Sequence, residues 1–539
     1  MSTLPALLGQ RLRRDWLQLV LWIAGIAALG GVAASAVTTT FGDETERAGV
    51  LALTATAPAI LIFRGTPNGA DAGPFAFFLI FAFLALMAGL MSTFLAVRHT
   101  RAEEEQGRAE LVGATPAGRV LPTVATVVHG VLANAVVGLA VAGAFIAGGF
   151  EVAGSLTTGA ATAATGVAFL AFGLFAAQLF RTSRAANTCS VAFVLGAYVV
   201  RGIGDATGTY SDDGQHVTPS WVSWLSPIGW AQRTEAFAED DLVPLLLPLG
   251  FAVLLVGLVF AFQSVRDQGA SVLAGGRGRA TAGPVLSSGT GLAWELSRGA
   301  IIAWAVGALA TGLLATSLTP LIDQIGTEVP AVAQTLEQMN PGGSLGQALT
   351  ATFFSIVGIL AAAAALQVVI RARQEEAHGT AELLLAVPLS RTRWLVGYLV
   401  IGALAIAAIL VTAALGAVIG AQRADDPAQA AGDAIEAALA QFPAALLFLA
   451  IGLVLFVYLP RLTIALSWAA LGALAVLGVF GDLLAPPEWM ADLSPFTHSP
   501  IPIGDDIDWT GGFWMLGLAA AGSVVAVWSM RRRELAPGG

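Results

Sequence analysis

Two clusters of charged residues, one in each half of the chain, carry the clearest chemical signal. Residues 101–119 (RAEEEQGRAELVGATPAGR) and residues 373–391 (RQEEAHGTAELLLAVPLSR) superimpose without a gap at an offset of 272 positions. Such charged, helix-forming residues indicate the binding of a soluble partner rather than catalysis. The positions shared by the two copies are Arg101 and Arg373, Glu103 and Glu375, Glu104 and Glu376, Gly107 and Gly379, Glu110 and Glu382, and Leu111 and Leu383.

The sequence gives no support to an enzyme. Its five histidines form no metal-ligand spacing with the one cysteine or with paired acids, and no G-x-S-x-G nucleophile motif occurs. All 26 basic residues are arginine, so the chain lacks the lysine that a P-loop uses to reach nucleotide phosphates. We therefore expect neither a metal nor ATP to bind here, and the net charge of −10 argues against nucleic acid.

Composition places these segments in a membrane protein. Hydrophobic residues make up 56 % of the chain and charged residues 12 %, against about 25 % in soluble domains. A membrane helix needs roughly 20 apolar residues. Twelve segments meet this requirement, near 16–38, 75–97, 120–148, 155–180, 186–203, 243–263, 299–318, 347–370, 393–420, 437–459, 463–483 and 511–530.

The distribution of arginine predicts the orientation. If the N-terminus is cytoplasmic, 21 of the 26 arginines fall on the cytoplasmic side and five on the outer side, as the positive-inside rule requires. Both termini and both charged segments are then cytoplasmic.

The repeat predicts the architecture. Six spans per half return the chain to its starting side, so the halves are parallel and related by a pseudo-twofold axis along the membrane normal. Smaller echoes occur in the same order, such as Trp22 with Trp304 and Leu-Ser-Pro at 225–227 and 493–495. The predicted class is an all-α polytopic membrane protein. We assign residues 1–263 and 298–539 to the halves and the Gly-, Ser- and Ala-rich residues 264–297 to a cytoplasmic linker.

Each charged segment joins the second and third spans of its half. Its core is rich in helix formers, and Pro116 or Pro388 should end the helix. We predict one short helix on the membrane surface, with acids on one face and Leu111 or Leu383 on another. Such a helix would transmit force between a soluble partner and the two spans that it joins.

These features together resemble the ABC-2-type exporter permeases, and more narrowly the fused twelve-span permeases of actinobacterial polyketide-antibiotic (tetronasin-type) exporters. The resemblance covers essentially the whole chain. It implies that 101–119 and 373–391 are coupling helices seated on two copies of a separate P-loop ATPase, which holds the ATP and Mg²⁺. It also implies alternating access in a bacterial plasma membrane and export of hydrophobic drugs, antibiotics or lipids.

The same resemblance implies a transport path along the second and fifth spans of each half. Aromatic walls suit a bulky amphipathic substrate. The path candidates are Phe77, Phe78, Phe81, Phe353, Phe354, Tyr198, Trp468 and Asn134. Polar residues within spans are costly and often functional, and Asn134, His129, Gln178 and Gln367 qualify. A hydrogen bond between helices is the simpler role for each of these four.

Two other functions stay open at the level of sequence. An ion-driven secondary transporter usually has acids near the middle of the membrane, and no span shows a carboxylate deep in its apolar run. An envelope-assembly factor that uses ATPase force mechanically would keep the coupling helices but would need no substrate cavity.

Overall fold

The computed structural model describes most of the chain. The described residues are 3–39, 41–56, 59–115, 118–211, 214–267, 269–273, 281, 283–317, 345–424, 426–484, 488–500 and 507–536. The chain divides into two compact units, unit 1 from Met1 to Arg277 and unit 2 from Gly278 to Gly539.

Unit 1 is built almost wholly of helices, because its apolar runs are long and their turn-forming residues fall between them. The α-helices are α1 (Thr3–Thr39), α2 (Glu44–Thr56), α3 (Ala59–Arg64), α4 (Ala72–Arg98), α5 (Arg101–Glu105), α6 (Arg108–Gly113), α7 (Leu121–Ala147), α8 (Val152–Leu179), α9 (Ser183–Ala206), α10 (Pro227–Gln232) and α11 (Leu246–Val265). Short 3₁₀ helices cover Trp221–Leu225 and Val243–Leu245.

One two-stranded sheet interrupts this pattern. Strand β1 (Thr209–Tyr210) pairs antiparallel with β2 (Val217–Thr218), in a register that places Thr209 opposite Thr218. The hydroxyl of Tyr210 donates a hydrogen bond to the carbonyl of Thr54, 2.7 Å away. The hairpin therefore ties the loop after α9 to the end of α2.

Unit 2 repeats the helical pattern with fewer short elements. Its α-helices are α12 (Gly289–Ser317), α13 (Leu345–Ala377), α14 (Thr380–Leu385), α15 (Arg391–Gly420), α16 (Pro427–Ala440), α17 (Phe442–Tyr458), α18 (Thr463–Leu484), α19 (Glu488–Ala491) and α20 (Thr510–Ser529). Its 3₁₀ helices are Pro284–Ser287, Ala421–Arg423 and Pro495–His498.

The helices identify a multi-pass membrane protein. Within the described residues, eleven helical segments are long and apolar enough to cross a bilayer, and each matches one predicted span. The one remaining predicted span, 463–483, is the eleventh along the chain and lies on α18, of which Thr463–Gly478 forms a shorter apolar helix. The all-α polytopic class is thus supported, while the arrangement as twelve spans in two repeats stays a prediction.

Small residues bring helices close together in both units. A Cβ atom on Gly138 of α7 would lie 2.7 Å from the carbonyl oxygen of Gly159 on α8. In unit 2, a Cβ atom on Gly312 of α12 would lie 1.9 Å from the carbonyl oxygen of Ala413 on α15. Because lipid supplies little hydrophobic driving force between helices, such close backbone packing is a main source of their association.

The prediction of one helix in each charged segment is wrong. In unit 1 the first acids lie on α5, which follows α4 directly, and Gly107 separates them from α6. In unit 2 the acids Glu375 and Glu376 lie within α13 itself, and Gly379 precedes α14. The physical reason is the glycine: it adopts a left-handed conformation that ends one helix and starts another.

Candidate functional site

The same turn occurs at Gly107 and Gly379. Gly107 has φ 70° and ψ 0°, and Gly379 has φ 73° and ψ 0°. A Cβ atom at either glycine would meet nothing within 4 Å. The backbone conformation alone therefore requires glycine, since side-chain-bearing residues pay roughly 1–2 kcal/mol in this region.

The short helix after each turn exposes the same pair of residues. Leu111 on α6 is 73 % exposed and Leu383 on α14 is 75 % exposed. The neighbouring Glu110 and Glu382 are also exposed. A large apolar side chain beside a carboxylate, presented twice in one pattern, is suited to contact with another protein.

A glutamate, largely buried in unit 1 and fully buried in unit 2, connects each segment to the region after the last helix of its unit. Glu104 accepts hydrogen bonds from Nη1 and Nη2 of Arg266 at 3.1 and 2.6 Å, just after α11. Glu376 accepts two from Nη2 of Arg533, at 2.8 and 2.9 Å, just after α20. Glu376 also accepts from the backbone N–H of Ala536 at 2.7 Å. Two ion pairs of the same design thus tie the second and last spans of each unit together.

The arginine three residues earlier reinforces this tie. Arg101 donates from Nε to the carbonyl of Ala177 at 2.9 Å and from Nη2 to that of Ala270 at 3.0 Å. Arg373 donates from Nη1 to the carbonyl of Ala536 at 2.9 Å. Both arginine side chains are almost fully buried. Charged groups at this depth are tolerated because their hydrogen bonds are made within the protein.

The units differ at the preceding acid. Glu103 accepts from Nε and Nη2 of Arg108 at 2.7 and 2.9 Å and also pairs with Arg14. These hydrogen bonds raise the pKa of Arg108 above its usual value. Glu375 instead accepts from the hydroxyl of Tyr398 at 2.8 Å, in a buried position.

The predicted partner-binding residues therefore separate into two groups. The residues with exposed side chains are Glu110, Leu111, Glu382 and Leu383. Those engaged in ion pairs or hydrogen bonds within their own unit are Arg101, Glu103, Glu104, Arg373, Glu375 and Glu376. Gly107 and Gly379 form the turns between the two groups.

Unit 1 contains a buried polar cluster that sequence reasoning missed in part. The Oδ2 atom of Asp15 on α1 accepts from Nε2 of His99 and lies 3.4 Å from Nε2 of His129 on α7. Arg98 Nη2 approaches Asp15 Oδ1 at 3.1 Å. Sequence had singled out His129 alone, because 84 residues separate Asp15 from His99 and no periodicity links them.

This cluster has the donor types of a metal site. One ligand atom from each of Asp15, His99 and His129 lies within 4.8 Å of the others, and all three residues are buried. A cation there would stand beside the Arg98 guanidinium, which already balances the carboxylate charge. The hydrogen-bonded ion cluster is therefore the better description of these residues.

The predicted path residues lie mostly within the packed interior of their own units. Phe77 and Phe81 stack with ring centroids 4.5 Å apart, and Tyr198 donates to the carbonyl of Phe63. The residues below 9 % exposure are Phe77, Phe78, Phe81, Tyr198, Phe354 and Asn134. Phe353 is partly buried and Trp468 is 38 % exposed. Their part in a substrate path stays a prediction.

Two of the intramembrane polar candidates make hydrogen bonds between helices. Asn134 Nδ2 on α7 donates to Ser92 Oγ on α4 at 2.9 Å and to the carbonyl of Gly130 at 2.9 Å. Gln367 on α13 accepts from Nε1 of Trp304 on α12 at 3.0 Å. These contacts give both residues the simpler, structural role.

The Leu-Ser-Pro echo has a structural basis. Ser226 Oγ donates to the carbonyl of Ala197 on α9, and Ser494 Oγ donates to that of Leu474 on α18, each at 2.7 Å. Each serine also accepts from a following backbone N–H at the start of a short helix. The motif therefore fastens the chain after the fifth predicted span to that span in both units.

A second buried ion pair holds the same region of unit 1. Arg201 Nη1 lies 2.9 Å from Asp205 Oδ2 within α9, and both side chains are fully buried. Gln232 Nε2 donates to Asp205 Oδ2 at 3.2 Å and to Thr66 Oγ1 at 2.7 Å. Arg201 is an interior residue that links α9 to α3 and α10.

Comparison with known proteins gives two results. The family whose model matches residues 286–531 is described as "Multidrug efflux system permease Rv1217c, C-terminal domain". A similar protein is the "Multidrug efflux system permease protein Rv1217c" of Mycobacterium tuberculosis (strain ATCC 25618 / H37Rv). It is 33 % identical over 534 residues, which cover 98 % of this chain and 94 % of the relative.

Proposed function

The chain belongs to the multidrug efflux system permease family, and from this premise we propose that it is the membrane subunit of an ATP-driven ABC-2-type exporter. A separate P-loop ATPase, two copies per chain, binds ATP and Mg²⁺ and docks at the cytoplasmic face of a bacterial plasma membrane. The substrates are hydrophobic drugs, antibiotics or lipids, with tetronasin-type polyketides as the narrower expectation.

One observation carries this proposal. Each unit presents an exposed Glu-Leu pair on a short helix directly after a left-handed glycine, Glu110–Leu111 after Gly107 and Glu382–Leu383 after Gly379. An efflux permease that is driven by a separate ATPase needs a contact of this kind on each half of the chain. The chain itself has no lysine to form a P-loop.

The ion pairs at Glu104 and Glu376 provide a route for force. A displacement of α6 reaches the end of α4 through the Gly107 turn and reaches α11 through the Glu104–Arg266 pair. In unit 2, α14 acts on α13 and, through Glu376 and Arg533, on the end of α20. ATP closure of the partner would thereby bias two spans of each unit at once, and a ligand shifts a conformational equilibrium only through such differential contacts.

Reversal of the exposed charges tests the docking surfaces. The double variant Glu110→Arg/Glu382→Arg should insert normally but lose copurification with the P-loop ATPase and lose efflux of a fluorescent hydrophobic dye. A matched control, Glu46→Arg/Glu436→Arg, makes the same charge change at one exposed acid of each unit, away from α6 and α14. Full efflux by the first double variant would refute the docking surfaces.

A second candidate function has one observation in its favour. The buried Asp15–His99–His129 cluster is a titratable group within a membrane helix, as proton-driven transporters have. It lies beside Arg98 at the charged ends of α1 and α4 rather than in mid-span, so we prefer the ATP-driven exporter. Vesicles separate the two: dye export that needs ATP and persists in Asp15→Asn supports the exporter, and export driven by a proton gradient and lost in Asp15→Asn supports the alternative.

A further inference from the structure

Unit 1 contains a cavity behind α6 (Arg108–Gly113), the helix proposed above to dock the ATPase and called its docking helix below. Its volume is about 330 Å³, and it lies between the start of α1, helix α6 and the ends of α4, α8 and α11. That volume is in the range of small-molecule sites. Because four of these helices are membrane spans, the cavity lies where their ends leave the bilayer.

The cavity has a strong excess of positive charge. Five arginines and two glutamates line it, a formal excess of three positive charges with histidine neutral. Glu103 is engaged by Arg14 and Arg108, and Glu104 by Arg266. Arg11 and Arg119 form no ion pair among the described residues. They are therefore the cations available to a ligand.

Several polar atoms at this site are buried without a partner. Arg11 is 8 % exposed, and while its Nη2 donates to the carbonyl of Pro122 at 2.8 Å, its Nη1 has no hydrogen-bond partner. The same holds for Nε of Arg266 and for Oε1 of Gln178 and Gln263. Unsatisfied buried groups cost free energy, and a phosphate with neighbouring hydroxyls would satisfy donors and acceptors alike.

The remaining wall of the cavity is apolar. Leu7 of α1, Leu111 and Val112 of α6 and Pro122 contribute to it. A free inorganic anion would leave this wall bare, whereas an acyl chain would cover it. A basic pocket between the cytoplasmic ends of spans is a recurrent site for anionic lipid headgroups.

We propose that this cavity binds an anionic phospholipid, with the phosphate at Arg11 and Arg119 and the start of an acyl chain against Leu7, Leu111 and Val112. The bound lipid supports α6 from behind and so holds the docking helix of unit 1 in place. The proposal requires only that the chain lies in a membrane, and it is independent of the ATPase partner.

Unit 2 offers a matched comparison. A cavity of about 350 Å³ lies between the start of α12 and the residues of α14 and the loop that follows it. Among the described residues, a single arginine, Arg393, lines it. We therefore expect the lipid site in unit 1 alone, and Arg393→Gln is the control for the loss of one arginine.

Native mass spectrometry of the full-length, delipidated chain tests the proposal with defined probes. Dioleoyl phosphatidylglycerol should bind at least about tenfold more tightly than dioleoyl phosphatidylcholine. Arg11→Gln and Arg119→Gln should each weaken the first lipid roughly five- to tenfold, and Arg393→Gln should leave it unchanged. Arg119 is exposed, so its variant remains informative if Arg11→Gln does not fold.

Two further arms identify the source of the phosphate and the place of binding. Millimolar glycerol 3-phosphate should not displace the lipid, and displacement would instead assign the site to soluble phosphates. A phosphatidylglycerol with a photoreactive acyl chain should label the peptides that contain Leu7 or Val112. Equal affinity for the two lipids, or labelling confined to other peptides, would overturn the proposal.

Discussion

The two units keep the same design around the charged segment and differ in the interior next to it. Each has a left-handed glycine, an exposed Glu-Leu pair and a glutamate that binds an arginine after the last helix. In unit 1, Ser92 and Asn134 form a buried hydrogen bond. At the same offset of 272, unit 2 has Ala364 and Ile406, both buried.

The difference extends to the ionic cluster of unit 1. His129 corresponds to Ile401 at the offset of 272, and Asp15 corresponds to Ser297 at the offset of 282 that aligns the two tryptophans. The contacts around α6 and α14 are alike in the two units, while the polar residues Ser92, Asn134 and His129 of unit 1 correspond to apolar residues in unit 2. We infer that docking needs both units and that the polar interior serves unit 1 alone.

The largest expected effect concerns the glutamates that bind these arginines, Glu376 and Glu104. The Glu376 side chain is fully buried, whereas that of Glu104 is 13 % exposed. Glu376→Ala removes the acceptor of Arg533 and the carboxylate that pairs with the buried Arg373, and should cost about 3–5 kcal/mol. Glu104→Ala should cost about 2 kcal/mol. Thermal unfolding in detergent should rank the two in this order, and a larger loss for Glu104→Ala would contradict the comparison.

A smaller effect is expected at the Ser92–Asn134 pair. Ser92→Ala removes the acceptor of the Asn134 amide, and Asn134→Leu removes the donor. Hydrogen bonds between membrane helices average about 0.6 kcal/mol and rarely exceed roughly 1.7 kcal/mol. A double-mutant cycle should therefore give a coupling of about 0.5–1.5 kcal/mol.

The counterpart in unit 2 is the control for this cycle. Ala364→Ser/Ile406→Asn places the same polar pair in unit 2, where the surrounding residues are packed for apolar side chains. This double substitution should lower the free energy of unfolding more than Ser92→Ala/Asn134→Leu does in unit 1. Equal losses would show that the two interiors are interchangeable.

The most symmetrical effect concerns the glycines. Gly107→Ala and Gly379→Ala meet no steric neighbour, so each should cost only the conformational strain of about 1–2 kcal/mol. Both should lower ATPase-coupled efflux by a similar factor, because the strain redirects α6 or α14. Efflux assays of the two single variants check this, and a defect in one alone would break the equivalence of the two turns.

Much of the fold can be predicted from the sequence, because each predicted span is an uninterrupted apolar run. The gapless repeat of 101–119 and 373–391 also marked the two segments that share the left-handed glycine and the exposed Glu-Leu pair. The break at Gly107 and Gly379 was missed because helix formers surround both glycines, and only the left-handed conformation explains why glycine occurs there. Repetition marked these positions as important without revealing their geometry.

The buried pairings could not be predicted, since they join residues far apart in the chain. Glu104 and Arg266 are 162 residues apart, as Glu376 and Arg533 are 157 apart. Both arginines follow the last span of a unit, where the positive-inside rule alone explains their presence. Glu104 and Glu376 were predicted to bind the partner because a charged residue outside an apolar run is expected to be solvated. Only the structure shows that each has an arginine partner within its own unit.

Site-directed crosslinking tests the central claim most directly, namely that α6 and α14 both contact a separate ATPase. Cys189 is the only cysteine, so a Cys189→Ser background allows Leu111→Cys and Leu383→Cys to be labelled one at a time in native membranes. A short photoreactive crosslinker at either position should capture a P-loop ATPase, while the same reagent at a Leu132→Cys control, an exposed position on α7, should not. Capture from neither position in membranes that export dye with ATP would contradict the account.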